Sequence, residues 1–338
     1  MTARTKVGVV GAGSWGTALA ALLARENHEV VLWGYEEEAV AAIRNRRENP
    51  AYLPDIELPA GLKATTSLAE AVAGAEVVVS VSPAQHVGRV MAEAAPHMEP
   101  DVQVVSASKG IELGTLRRMD QVFRDLLTMD QMARFTVLSG PSFALEVANR
   151  EPTAVVVASH GPDAALRAQH LFQTDRFRVY TNSDVVGVEL GGALKNVIAL
   201  AAGVVAGLGF GHNTRSALMT RGLAEITRLG TAMGASRSTF SGLAGMGDLV
   251  LTCTGELSRN RTVGFRLGQG ESLEEIVADS TQVAEGIPTA AAAHALARRN
   301  DVEMPICSQV HDMLSQGCSP LEAVENLMLR APKPEEWG

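Results

Sequence analysis

Lysine is scarce in this chain. Only Lys6, Lys63, Lys109, Lys195 and Lys333 occur among its 29 basic residues, so a lysine inside a motif is hard to read as surface decoration. Positive charge is in deficit overall, with 29 Lys and Arg against 38 Asp and Glu and a formal net charge of −9. That balance disfavours nucleic acid or an anionic membrane surface as a general partner, and leaves open a local basic site for a small anion. Cysteine is rare too. Cys253, Cys307 and Cys318 are odd in number and match no metal-ligand spacing. They point away from a disulfide framework, predict no metal, and suit a reducing, cytoplasmic compartment. No low-complexity linker and no short-period repeat interrupts the 338 residues, and the first strand-like run begins too early to leave room for a signal peptide. One apolar stretch, Val185 to Phe210, has membrane-spanning length, but Glu189, Lys195 and Asn196 fall inside it. Charge at mid-bilayer is expensive, so a buried helix of a soluble protein is expected, without stable membrane insertion.

What the chain does have begins at its N-terminus. The β-branched run Lys6-Val7-Gly8-Val9-Val10 feeds into Gly11-Ala12-Gly13-Ser14-Trp15-Gly16, and a helical pattern follows from Thr17. Strand, G-x-G-x-x-G and helix in that order form a dinucleotide-binding fingerprint. Gly11 serves the tight turn, Gly13 lets backbone approach a pyrophosphate at the helix N-terminus, and Gly16 lets helix pack on strand. A second strand-like run ends at Trp33, and the acidic cluster Glu36-Glu37-Glu38 starts 20 residues after Gly16.

Further strand-like runs lie at 76–81, 102–106, 135–138, 153–157 and 177–180, with helical stretches between them. Continuous valine-rich runs suit strands covered on both faces, and the alternation predicts a mostly parallel sheet. Beyond Asn182 the pattern becomes helical, with segments at 184–208, 214–233, 237–244, 258–269, 271–278, 288–299, 305–316 and 319–330. The expected fold is α/β, a Rossmann-like doubly wound sheet followed by an all-helical C-terminal domain. Its boundaries are 1–183, 184–330 and a frayed tail at 331–338, with the site between the two domains.

Several motifs carry polar chemistry. Lys109 follows the strand at 102–106, and Ser139-Gly140-Pro141-Ser142 follows the next, where Ser142 suits the cap of a helix Phe143–Ala148. A solvated lysine and an ordinary turn explain these equally well. Lys195 lies within an apolar helix, where desolvation favours a proton-transfer role unless the side chain snorkels to the surface. Asp248 either pairs with it across helices or caps the following turn. Ser258-Arg259-Asn260-Arg261 sets two guanidinium groups beside two hydrogen-bonding side chains at a helix start, where the dipole disfavours cations. It reads as a phosphate clamp or as a surface pair.

Taken together, these pieces resemble the bacterial NAD(P)-dependent sn-glycerol-3-phosphate dehydrogenase family along nearly the whole chain. The matching stretches are Val9–Ala20, Lys109-Gly110, Ser139–Ala144, Leu190–Ala199, Gly245–Leu249, Leu257–Arg261 and Val283–Gly286. The resemblance implies reversible hydride transfer between NAD(P)H and dihydroxyacetone phosphate, giving sn-glycerol 3-phosphate for glycerophospholipid synthesis. It implies catalytic roles for Lys195, Lys109 and Asp248. It implies cofactor contacts at Gly11, Gly13, Ser14, Trp15, Gly16, Tyr35, Lys109, Ala144, Arg259, Val283 and Glu285. Substrate contacts would be Lys109, Gly140, Ser142, Lys195, Asp248, Ser258, Arg259 and Asn260.

One departure bears on the choice between NAD and NADP. The family often places Arg or His after the second strand, where this chain has Trp33-Gly34-Tyr35-Glu36. Arg44, Arg46 and Arg47 are cations close enough in sequence to reach back toward a 2′-phosphate, so the preference stays open. Rival readings are a related reductase of another hydroxy acid and a catalytically silent dinucleotide sensor. The helical domain would suit a homodimer.

Overall fold

The computed structural model describes residues 4–279 and 283–335. Of the tail expected at 331–338, residues 336–338 lie outside the described residues, and 331–335 form no helix or strand.

The valine-rich runs form one eight-stranded sheet: β1 (Lys6–Val10), β2 (Glu29–Trp33), β3 (Lys63–Thr65), β4 (Val77–Ser80), β5 (Gln103–Ser106), β6 (Thr136–Ser139), β7 (Thr153–Ala158) and β8 (Phe177–Asn182). Their order is β3-β2-β1-β4-β5-β6-β7-β8. All neighbours are parallel except β6 and β7. The chain runs outward from β1 to β3 and then returns to β4 on the other side, so the switch of direction lies between β1 and β4. Val7, Val9 and Val10 of β1 and Val78 and Val79 of β4 are all fully buried, as strands covered on both faces require.

Strand β3 departs from the expectation. It has three residues, its Lys63 is exposed, and no apolar run announces it. It exists through pairing with β2, where Ala64 sits opposite Leu32.

The helices around the sheet are α1 (Ser14–Arg25), α2 (Glu37–Arg46), α3 (Leu68–Val72), α4 (Ala84–Ala94), α5 (Met119–Arg124), α6 (Met129–Ala133), α7 (Ala144–Ala148) and α8 (Pro162–Phe172). Ser67 caps α3 by accepting from the Glu70 N–H. The second set is α9 (Val185–Gly207), α10 (His212–Ala232), α11 (Asp248–Thr254), α12 (Arg259–Gly268), α13 (Leu273–Ala278), α14 (Gly286–Arg299), α15 (Pro305–Ser315) and α16 (Pro320–Met328). Among the described residues this second set contains no strand.

By contacts the chain forms two compact units. One comprises the residues through Lys109 together with Arg117–Val185, and the other comprises Gly110–Leu116 and the chain from Val186 onward. The short segment Gly110–Leu116 joins the helical unit because Ile111 is fully buried in that unit's core.

One local reading is corrected in the helical unit, and one is met. The stretch at 237–244 is a 3-10 turn, Arg237–Ser241, followed by a π-type turn, Leu243–Gly247, and α11 begins directly after it. The apolar stretch expected to be a buried helix is helix α9, which ends at Gly207, and 89% of its most hydrophobic window is buried.

Glycines set the approach of its main neighbour. A Cβ on Gly203 of α9 would collide with the Arg261 carbonyl oxygen of α12, and one on Gly264 of α12 with the Leu200 carbonyl oxygen of α9. Gly207 and Gly268 meet one turn further along, so the two backbones touch over two turns.

Candidate active site

At the end of β1 the chain turns sharply through Gly11, whose φ of +127° strains any L side chain. A Cβ on Gly16 would strike the Gly11 carbonyl oxygen, so helix α1 lies against the turn only because both positions are glycine. Gly13 differs: nothing lies within 4 Å of where its Cβ would stand. It is also the N-cap of α1, where no side chain caps the helix and no acidic residue lies in the first turn. The open space above Gly13 and the uncapped positive end of a twelve-residue helix fit a dinucleotide pyrophosphate.

A loop from Asn49 to Leu53 braces this turn. The fully buried Asn49 donates from Nδ2 to the Ala12 carbonyl and to Thr17 Oγ1, each at 2.8 Å. Ser14 Oγ donates to the Tyr52 carbonyl at 2.5 Å. Trp15 is partly buried, packs against the sheet core and has an indole N–H without a partner among the described residues. Tyr35 stands 73% exposed just beyond β2.

The three arginines expected near Tyr35 are engaged elsewhere. Arg44 Nε donates to the Ala64 carbonyl at 2.6 Å, Arg46 pairs with Glu48 at 3.7 Å, and Arg47 pairs with Glu57 at 2.7 Å. Each of the three thus has a nearer partner of its own.

Further along the sheet, Lys109 and Ser142 converge on one carbonyl. Lys109 Nζ and Ser142 Oγ each donate to the Gly140 oxygen at 3.0 Å. The expected cap is therefore corrected. Ser142 does not cap α7, which is only five residues long, starts at Ala144 and has Phe143 at its N-cap. Gly140 has φ of +134°, and its Cβ would approach Val155 Cα at 3.0 Å, so this carbonyl is aimed by a glycine-only bend.

The helical unit holds a second polar cluster. Lys195, on α9, is only 7% exposed, and Asp248, at the first position of α11, only 1%. Lys195 Nζ donates to Asp248 Oδ1 and, at 2.9 Å, to Thr252 Oγ1. Thr252 in turn donates to the Asp248 backbone carbonyl at 2.6 Å. Spacing of four residues on α11 puts Asp248 and Thr252 on one face. Pairing supplies the buried ammonium with a counter-charge, as burial demands. Beside this network, burial pushes the Cys253 thiol up to about 12, an effect that Lys195 opposes, so Cys253 stays a neutral packing group.

Asn196 continues the cluster toward α12. Its Oδ1 accepts from Asn260 Nδ2 at 2.9 Å, and Asn260 Oδ1 accepts from the Gly286 N–H at 2.9 Å. Ser258 caps α12 by accepting from the Arg261 N–H at 3.3 Å. Arg259 follows at the first helical position. Its crowded setting lowers the guanidinium below its ordinary value and Glu285 opposes that, while the residue keeps solvent contact. Val283 is exposed just ahead of α14. Thr252, Asn49 and Tyr52 were given no site role from sequence, and Asn196 was noted only as a polar residue inside the apolar stretch. Thr252 had a usable signal in its position one helical turn after Asp248.

The parallel sheet with its glycine turn, and the separate helical unit around a buried lysine, define a dinucleotide-dependent oxidoreductase of the two-unit type. Comparison with known proteins narrows this. The model of the NAD-dependent glycerol-3-phosphate dehydrogenase N-terminus matches residues 6–165, and that of its C-terminus matches residues 184–325. The chain belongs to the NAD-dependent glycerol-3-phosphate dehydrogenase family. It is 59% identical over 330 residues to glycerol-3-phosphate dehydrogenase [NAD(P)+] of Geobacter metallireducens, covering 98% of each chain. To the protein of the same name in Geobacter sulfurreducens it is 57% identical over 332 residues, covering 98% of this chain and 99% of the other. The crystal structure of glycerol-3-phosphate dehydrogenase from Coxiella burnetii superposes with a TM-score of 0.92 at 39% identity, over 97% of this chain and 99% of that one.

Proposed function

We propose that the chain interconverts dihydroxyacetone phosphate and sn-glycerol 3-phosphate with NAD(P)H, supplying glycerophospholipid synthesis in the cytoplasm. The observation that carries this reading is the buried Lys195–Asp248–Thr252 network, joined through Asn196 to Asn260 at the start of α12. Ser14, Trp15, Tyr35, Ala144, Val283 and Glu285 would hold the cofactor together with the glycines at 11, 13 and 16, Lys109 and Arg259. The bound nicotinamide supplies or takes up the hydride at C2.

The chain's own residues handle charge and position. Reduction at C2 leaves alkoxide character on its oxygen, and Lys195 Nζ stabilises that charge and delivers the proton. Asp248 and Thr252 fix the direction of Nζ, and Asp248 balances the ammonium's charge before transfer. Ser258, Arg259 and Asn260 take the substrate phosphate, for which a guanidinium beside hydrogen-bonding side chains is suited. Lys109, Gly140 and Ser142 take the carbonyl end. Holding both ends of a small substrate is what converts binding into reaction rate. Residues 1–183 would act as the nucleotide domain and 184–330 as the substrate domain, in a homodimer.

Initial rates of NADH and NADPH oxidation with dihydroxyacetone phosphate test the reading, with dihydroxyacetone as control. Turnover that requires the phosphate is expected. Equal efficiency on dihydroxyacetone would overturn the phosphate clamp. Nucleotide binding without turnover on either compound would overturn the substrate assignment.

A further inference from the structure

The end of β2 bears on which nicotinamide dinucleotide the chain prefers. In sheets of this kind, a carboxylate just beyond the second strand suits the free 2′-hydroxyl of the adenosine ribose, and a cation suits a 2′-phosphate. Here β2 ends at Trp33, and Gly34, Tyr35 and three glutamates follow. The Tyr52 hydroxyl donates to Glu36 Oε1 at 2.9 Å, and the Tyr52 carbonyl accepts from Ser14 of the glycine turn at 2.5 Å. One residue thus links the Glu36 carboxylate to the turn that faces the pyrophosphate. Burial and the neighbouring Glu36 raise the Tyr52 hydroxyl above its ordinary value, which keeps it a donor. On the cationic side, Arg44, Arg46 and Arg47 bond to Ala64, Glu48 and Glu57.

We propose that Glu36, positioned by Tyr52, makes the chain selective for the dinucleotide with a free 2′-hydroxyl. This rests on reading the glycine turn as the nucleotide site. A carboxylate accepts a hydrogen bond from a ribose hydroxyl. A 2′-phosphate would bring further negative charge against Glu36, Glu37 and Glu38.

Binding measurements separate this proposal from catalysis. Nicotinamide fluorescence on the full chain gives dissociation constants for NADH and NADPH at low and high salt. NADH should bind tighter by about tenfold or more, with the gap narrowing at high salt because like-charge repulsion is screened. Glu36→Gln should tighten NADPH binding several-fold while weakening NADH, and Glu36→Arg should invert the preference. Tyr52→Phe keeps the charge but frees it, and should reduce the ratio by a smaller factor. NADPH binding as tight as NADH in the unmodified chain would overturn the proposal, as would equal shifts of both constants in Glu36→Gln. Failure of both nucleotides to bind would overturn the nucleotide site itself.

Discussion

Replacing Lys195 with alanine removes the proton donor and leaves Asp248 buried beside Thr252 without its counter-ion. Turnover with dihydroxyacetone phosphate should fall by about 10²–10⁴-fold, while NADH binding in the other unit persists. Stopped-flow rates beside a fluorescence titration check both halves, and loss of nucleotide binding would mean misfolding rather than lost chemistry. Thr252→Val keeps shape but removes the hydroxyl that accepts from Nζ. It should lower kcat more than it changes KM, and shift the pH–rate profile, because the lysine then loses an anchor.

Glu225 offers a test unrelated to the proposed chemistry. This buried side chain of α10 accepts from the Ile306 N–H at 2.7 Å and the Cys307 N–H at 3.1 Å, and so caps the start of α15. Burial raises its carboxyl to about 7, although both backbone bonds and Arg228 oppose the rise. The folded chain therefore holds this proton more tightly than the unfolded chain does. Its contribution is complete below the unfolded value near 4.5 and is lost as pH rises through about 7. The loss amounts to about 3 kcal/mol on the standard conversion of pKa shift to free energy. Urea unfolding between pH 5 and 8, compared with Glu225→Gln, should show the gap between the two proteins change steadily in the variant's favour as pH rises. A gap independent of pH would contradict the assignment.

At the scale of elements, the contact of α9 with α12 depends on having no side chains in the seam. Gly264→Ala pushes a methyl group into the Leu200 carbonyl and should destabilise the helical unit by about 1–3 kcal/mol. Gly61→Ala, with nothing within 4 Å, is the matched control and should stay within about 0.5 kcal/mol. Equal effects would remove the close-packing argument. The glycine turn after β1 was legible in sequence because strand, turn and helix are local and contiguous there. Strand β3 was not, because three residues with an exposed lysine become a strand only through β2. Helix α11 was absent from the expected segments, because glycines at 242, 245 and 247 interrupt the helical pattern just ahead of it. Ser142 looked like a cap from its neighbours in sequence, but its hydroxyl is claimed by Gly140. The pairing of Lys195 with Asp248, 53 residues apart, was one of two options for Asp248 until the helices set the choice.

At the scale of the whole molecule, the burial of α9 has a consequence for biosynthesis. This helix has a mean hydropathy of 1.6, high enough for a bilayer, and α12 and α14 that cover it come later in the chain. At typical synthesis rates of about 5–20 residues per second, the ribosome needs several seconds to supply them. During that interval the growing chain presents the kind of greasy segment that membrane-insertion machinery and chaperones are built to seize. A chain ended after Thr254 would hold α9 permanently in that state. It should partition to aggregates on fractionation, where the full chain stays in the supernatant. The two buried polar residues at its centre, Lys195 and Asn196, are the features that would deny such a fragment a stable home in lipid.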